Sequence, residues 1–233
     1  MAVDIIDYEI KGESLQLVEI ELDPQEGVRA EAGAMTYMEQ GIEMQTTTAG
    51  GAWKGFKRML TGASFFITTF LNQGTTKARV AFAAPYPGQV ITLNLTELGG
   101  EFLCQSSSFL CAANGIDIEV AFTKKVGAGF FGGEGFILQK LQGNGLAFVH
   151  AGGTIISKNL APGEELRVDT GSVVGFSTSV EYDIQMVGGI KDALFAGEGL
   201  FLTKLTGPGL VYLQSLPLSK LAKKISGAVV KTS

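Results

Sequence analysis

Two glutamates recur in one setting. Glu134 lies in FFGGEGF and Glu198 in LFAGEGL, each carboxylate between glycines that open the backbone around it. Such an acid could serve as general acid or base in a hydrolase or lyase, or contact a small ligand in a groove between repeated units. It could equally accept hydrogen bonds from the N–H groups of its own loop, the simpler reading of a repeated position. GGEG precedes a strand and not a helix, so no helix N-terminus is offered as a phosphate cradle.

The other reactive side chains are sparse. His150 is the one histidine, and with only Cys104 and Cys111 beside it no zinc site of His and Cys can be completed. Its counterpart in the repeat described below is Gln214, so a surface or hydrogen-bonded histidine is expected. Asp117 with Glu119, and Glu181 with Asp183, lie two apart and share a strand face. They alternate with Ile116, Ile118 and Val120, or with Val180, Tyr182 and Ile184, which describes a strand with one wet face. Cys104 and Cys111 make no disulfide framework and are expected as buried free thiols in a reducing compartment. If 104–111 is one straight strand, they lie on opposite faces. No catalytic residue, metal or cofactor is expected.

The formal net charge of −5 conceals an asymmetry. Residues 1–31 hold nine acids against Lys11 and Arg29, whereas 216–233 hold Lys220, Lys223, Lys224 and Lys231 and no acid. Without that tail, 14 basic against 23 acidic residues leave a body of −9, which argues against nucleic acid as a partner. The tail PLSKLAKKISGAVV (217–230) sets Leu218, Leu221, Ala222, Ile225 and Val229 at helical spacing, with Ser219 as N-cap. GGAWKGFKRMLTG (50–62) places Trp53, Phe56 and Leu60 on one helical face, with Lys54, Lys57 and Arg58 mostly off it. Both stretches read as a surface for a protein partner or an anionic membrane, where each nearby lysine is worth about 1 kcal/mol. The tail could instead cap a sheet end of its own body.

These residues are positioned by a stretch stated twice. FFGGEGFILQKLQGNGLAFVH (130–150) and LFAGEGLFLTKLTGPGLVYLQ (194–214) align without a gap, ten of 21 positions identical. Each is an apolar strand, a turn and a second apolar strand, a hairpin in sequence form. Gly207-Pro208-Gly209 reads as a type II turn, with positive φ expected at Gly209 and at its counterpart Gly145. Phe136–Leu138 and Leu200–Leu202 are apolar on both faces and so read as central strands, with Lys140 and Lys204 snorkelling to water.

The hairpin belongs to a longer unit. LAPGEELRVDTGSVVGFSTSVEYDIQ (160–185) aligns with LDPQEGVRAEAGAMTYMEQGIEMQ (22–45), and QSSSFLCAANGIDIEV (105–120) lies between them. The expected organisation is three units, 1–85, 86–153 and 154–218, and a basic helical tail at 219–233. TELGGEFLC (96–104) is expected to add a strand pair to the middle unit. The expected fold is all-β: three repeated antiparallel β-sandwich units about a pseudo-threefold axis. Short helices are expected at the hairpin entrances (50–62, 123–131 and 188–196) and at the C-terminus.

Composition agrees with such a body. Hydrophobic residues at 45%, charged residues at 18% and 32 glycines describe a globular chain of many short strands. No run of about 18 apolar residues is present. MAVDIIDYEIKG lacks the basic and apolar regions of a signal peptide, so a cytoplasmic protein is expected.

FFGGEGFILQKLQGNG and LFAGEGLFLTKLTGPG, with the preceding DTGSVVGF, resemble a family of mostly uncharacterised bacterial and archaeal proteins. Its eukaryotic relatives are the mitochondrial-biogenesis proteins named for altered inheritance of mitochondria. The resemblance runs from about residue 12 to 218. It implies three domains like the tryptophan RNA-binding attenuator protein, short variants of the double-stranded β-helix. It supplies no reaction and no catalytic residue, and the mitochondrial members' link to inner-membrane organisation implies only membrane proximity. TGAS replaces GGEG in the first unit, so any role of the glutamate is confined to two units. The function expected first is a non-catalytic interaction or scaffold protein, peripheral to a membrane, with a protein or anionic surface as partner and homo-oligomerisation left open. The second reading is a small-ligand binder using grooves between the units. The third is a hydrolase or lyase built on Glu134 and Glu198.

Overall fold

The computed structural model describes residues 3–45, 67–124, 136–187 and 200–229. Its first strands are β1 (Asp7–Lys11), β2 (Leu17–Leu22), β3 (Gly27–Glu31), β4 (Met35–Met38), β5 (Ile42–Gln45), β6 (Ile67–Asn72) and β7 (Ala78–Ala83). Then come β8 (Gly88–Asn94), β9 (Glu101–Gln105), β10 (Phe109–Ala113), β11 (Asp117–Lys124), β12 (Phe136–Gln142) and β13 (Leu146–Gly152). The last are β14 (Ile155–Leu160), β15 (Glu165–Asp169), β16 (Val173–Ser177), β17 (Glu181–Val187), β18 (Leu200–Thr206) and β19 (Gly209–Gln214), before the helix α1 (Leu218–Val229).

The protein is mostly β. Four antiparallel sheets run β1-β2-β7-β4, β5-β6-β3-β10-β13-β8, β11-β12-β9-β16-β19-β14 and β15-β18-β17. One pairing scheme recurs through them. β2, β8 and β14 pair with β7, β13 and β19. β3, β9 and β15 pair with β6, β12 and β18. β4, β10 and β16 pair with β7, β13 and β19, and β5, β11 and β17 with β6, β12 and β18. A one-turn 3₁₀ segment precedes each of β4, β10 and β16, at 32–34, 106–108 and 170–172. Each of those strands then shifts register, at Met35/Tyr37, Phe109/Cys111 and Val173/Gly175.

Period-two patterning explains the strands. In β2, Val18, Ile20 and Leu22 turn inward with no exposure, while Leu17, Glu19 and Glu21 take the other face. β13 is buried on both faces, as expected of a strand inside a six-stranded sheet. Phe70 and Phe82 meet edge to face in the larger core, ring centroids 5.2 Å apart, worth about 1 kcal/mol beyond area burial. A smaller core gathers Phe136, Leu138, Val173, Phe176, Leu205 and Val211. The repeated acids of LDPQEG and LAPGEE close the turns before β3 and β15. Glu26 accepts from the Asp23 N–H at 2.9 Å, and Glu164 from the Ala161 N–H at 2.8 Å.

Several expectations are corrected. The turn at 207–209 is not type II: the Gly207–Pro208 peptide bond is cis, and Gly209 takes φ +147°. In the other copy the positive φ falls on Gly143 and not on Gly145. Neither copy is a hairpin: β12 pairs with β11 and β9 while β13 pairs with β10 and β8, and β18 and β19 likewise enter different sheets. TELGGEFLC adds no strand pair. Residues 95–100 form a turn, and Glu101–Gln105 is β9, the strand that pairs with β12. β12 is central and buried as expected, whereas Phe201 and Leu202 of β18, central in a three-stranded sheet, are only half-buried. The helices expected at the hairpin entrances lie wholly or mostly outside the described residues; of those segments only Thr123 and Lys124 are described, and they end β11.

Candidate functional site

The feature that stands out from the β body is α1. Its foot is tied down by backbone: Leu216 N–H donates to the Gly152 carbonyl at 3.0 Å and Ser215 N–H to Thr154 at 3.1 Å. Gln214 braces the same corner, accepting from Gly152 N–H at 2.8 Å and donating to the Gly171 carbonyl at 3.0 Å. Pro217 is buried, and its carbonyl receives the N–H groups of Lys220 and Leu221. Ser219 therefore sits inside the first turn and is not the N-cap expected. Lys220 reaches Asp169 at 3.4 Å, a partly exposed pair of small energetic weight.

Beyond that turn the helix leaves the body. Lys223, Lys224 and Ile225 are all exposed, Ile225 at 57%, and Leu218 is 41% exposed. On a helix of 3.6 residues per turn, Leu218, Leu221, Ala222 and Ile225 form one stripe, with Lys220, Lys223 and Lys224 on the far side. Leu218 also borders a cleft of about 340 Å³ lined by Gly33, Ala34, Tyr86, Ser106, Ser107 and Leu110 among others.

A second polar surface covers the outer face of β1, β2, β7 and β4. Glu19 is nearly buried there, accepting from Lys11 at 2.7 Å and from the Tyr37 hydroxyl. The hydrogen bond to Glu19 raises the Lys11 pKa. Hydrogen bonds from Lys77 and then Arg79 hold the Glu21 carboxyl below its usual range. A shallow groove of about 230 Å³ runs between Asp7, Tyr8, Glu9, Glu19, Glu21 and Arg79. These carboxylates are matched by cations, which describes a structural ion-pair lattice.

The sequence reading missed a buried polar set. Gln105, Ser108, Gln139 and His150 are nearly or fully buried, and Gln105 Oε1, Ser108 Oγ, Gln139 Oε1 and His150 Nδ1 have no hydrogen-bond partner among the described residues. His150 is thus not at the surface, and its Nδ1 is unpaired among those residues. Its ring meets Tyr86 edge-on with centroids 4.6 Å apart, and burial lowers its pKa to about 4. No sequence signal distinguishes such residues, because a polar side chain on a strand normally marks the wet face.

The sequence-predicted candidates divide cleanly. Glu134, Glu198, Trp53, Phe56, Lys57 and Arg58 lie outside the described residues. Lys220, Lys223 and Lys224 are brought together on α1. Asp117, Glu119, Glu181 and Asp183 are exposed on their strands, as the alternation requires. Cys104 and Cys111 are free and fully buried, on separate strands β9 and β10, and burial pushes the Cys104 thiol up to about 12. Among the described residues no group of three or more His, Cys, Asp or Glu side chains could hold a metal ion, and no helix is long and apolar enough to cross a membrane.

Known proteins place the chain. It is 29% identical over 214 residues to an uncharacterized protein of Streptococcus pyogenes serotype M6, covering 88% of this chain and 84% of that protein. It is similar to the X-ray crystal structure of a Streptococcus pyogenes protein with a TM-score of 0.77 and 25% identity, over 96% of this chain and 99% of the other. The family model described as mitochondrial biogenesis AIM24 matches residues 8–216, so the chain belongs to the AIM24 family.

Proposed function

We propose that this chain is a non-catalytic interaction protein that meets an anionic membrane surface through α1. Its body is three copies of one six-stranded unit about a pseudo-threefold axis. The recurring strand pairings and register shifts support the repeat. The single observation that carries the membrane contact is Ile225, 57% exposed on an apolar stripe whose reverse side holds Lys220, Lys223 and Lys224. A basic amphipathic helix of this kind lies in the interfacial plane, apolar face toward the acyl chains and ammonium groups among the headgroups. Anchoring at Pro217 leaves residues 222–227 exposed, where a membrane can reach them.

Co-sedimentation with vesicles rich in phosphatidylserine tests the proposal. The full chain should pellet with them at low salt and be released as salt rises. Ile225→Glu and Lys224→Glu should each weaken pelleting severalfold. A full chain that stays in the supernatant at low salt contradicts the reading. The cleft beside Leu218 favours small-ligand binding as the second reading. A thermal shift with a metabolite, lost in Ser107→Leu while vesicle binding is absent, would select it instead.

A further inference from the structure

Two asparagines of the chain precede a glycine, Asn114 and Asn144. An Asn-Gly step carries its own reactive pair, because glycine has no side chain to keep its amide nitrogen from the preceding carboxamide. That nitrogen, once it has lost its proton, can bond to the carboxamide Cγ. The Cγ–amide bond then breaks, ammonia leaves, and a five-membered succinimide remains. Water opens the ring at either carbonyl, giving aspartate or isoaspartate. Whether a folded chain permits this depends on how firmly the step is held.

The two steps are held very differently. Asn114 is half-buried after β10, where its N–H donates to the Gly27 carbonyl at 3.0 Å and its carbonyl accepts from the Asp4 N–H at 2.9 Å. Its carboxamide donates to Asp4 Oδ2 at 3.4 Å, and the same oxygen accepts from the Gly27 N–H at 2.9 Å. Turning that carboxamide onto Gly115 breaks these contacts. Asn144 is exposed in the connection between β12 and β13, two strands that enter different sheets. The backbone is fixed on either side of it, by Gly143 N–H on the Gly100 carbonyl and Leu95 N–H on the Gly145 carbonyl, both at 2.9 Å. Among the described residues, neither the Asn144 side chain nor the Gly145 N–H makes a hydrogen bond. The counterpart of Asn144 in the second copy is Pro208, where this chemistry does not exist.

We propose that Asn144 is a site of spontaneous modification in the folded protein, and that its conversion to isoaspartate releases the N-terminal stretch. Gly143 and Gly145 lie against the half-buried Val3, an added Cβ falling 3.5 Å and 2.6 Å from its side chain. Val3 leads into Asp4, whose carboxylate bonds Gly27 and Asn114 and so ties the stretch to both sides of the β3–β10 pairing. Isoaspartate routes the backbone through Cβ, which lengthens it by a methylene at a close contact and adds a charge to the turn. The inference uses no residue of α1 and is independent of the membrane contact.

Incubation of the full chain at mildly alkaline pH, followed by peptide mapping, tests it. Trypsin separates the two sites, since Lys124 and Lys140 lie between them. In the folded chain Asn144 should convert severalfold faster than Asn114, and in urea the two rates should converge. Equal protection of both asparagines in the folded chain would overturn the proposal, as would conversion of Asn144 in urea alone. Asn144→Gln should abolish the mass gain of its peptide, because the longer side chain closes a ring far more slowly. A gain that persists in that variant belongs to Gln142 and also overturns the assignment. In the isoaspartate form, separated by ion exchange, hydrogen exchange at the Asp4 and Gly27 amides should quicken severalfold. Exchange as slow as in the unmodified chain would refute the release of the N-terminal stretch.

Discussion

At the residue scale, glycines and one histidine make the sharpest tests. Gly209 combines φ +147° with neighbours that leave no room, an added Cβ falling 2.7 Å from both Ser179 Oγ and Val180 Cγ2. Gly209→Val should therefore cost about 2–4 kcal/mol in chemical denaturation. Gly145 has no positive φ, and its Cβ would press on the Val3 side chain, at 2.6 Å, with Ile116 Cδ1 at an ordinary 3.6 Å. Gly145→Val should cost less, about 1 kcal/mol, so equal losses would contradict the turn geometry. His150 adds a pH effect. Its folded pKa of about 4 lies below the ordinary histidine value of 6.5, so between those values the unfolded chain holds more protons. Stability should thus fall as pH drops from about 6.5 toward 4. His150→Gln, the residue found at the counterpart Gln214, should flatten that fall by roughly 1–3 kcal/mol near its lower end. A melting-temperature profile identical in both proteins would refute it. Sequence made the exposed pairs Asp117/Glu119 and Glu181/Asp183 legible, because alternation reports a wet face. It hid Asn72, whose amide, fully buried, donates to the Leu22 and Thr76 carbonyls, both at 2.9 Å. The same alternation gave no reason to bury it.

At the element scale, strand–turn–strand segments were readable and pairings were not: β12 and β13 were expected as a hairpin and so were β18 and β19, yet in each case the two strands join different sheets. The stretches 130–150 and 194–214 announce strand, turn and strand through local pattern, and β12–β13 and β18–β19 are there. The pairing of β3 with β10 and of β9 with β16 depends on how distant segments pack, which no local periodicity encodes. Turn detail was lost for a similar reason: Gly-Pro-Gly fits both isomers of its X–Pro bond, and only the flanking strands choose. The tail was expected to cap the body or to face a membrane; residues 215–217 are tied to the body, and the exposed 222–227 are the part proposed to meet a membrane. Deleting 222–233 removes the exposed residues 222–227 with the end of the chain and should leave the melting temperature within about a degree, because surface losses are small. Deleting 216–233 also strips the Leu216 bond to Gly152 and the Pro217 contact over Gly171, and should lower it by several degrees. Equal melting temperatures for the two truncations would contradict the division.

At the scale of the whole molecule, charge and shape act together. An anionic surface repels the acidic body, so the proposed contact would orient the protein with the basic α1 toward that surface. The same field should exclude RNA at physiological salt, and salt-sensitive RNA retention in a gel shift would count against it. The most direct test of the membrane contact is a polarity-sensitive dye on Ile225→Cys, where the buried Cys104 and Cys111 leave one reactive thiol. Titration with phosphatidylserine vesicles should shift the dye emission to the blue, with little change for neutral vesicles or at high salt. Emission that stays at its aqueous position throughout the anionic titration would contradict contact through α1.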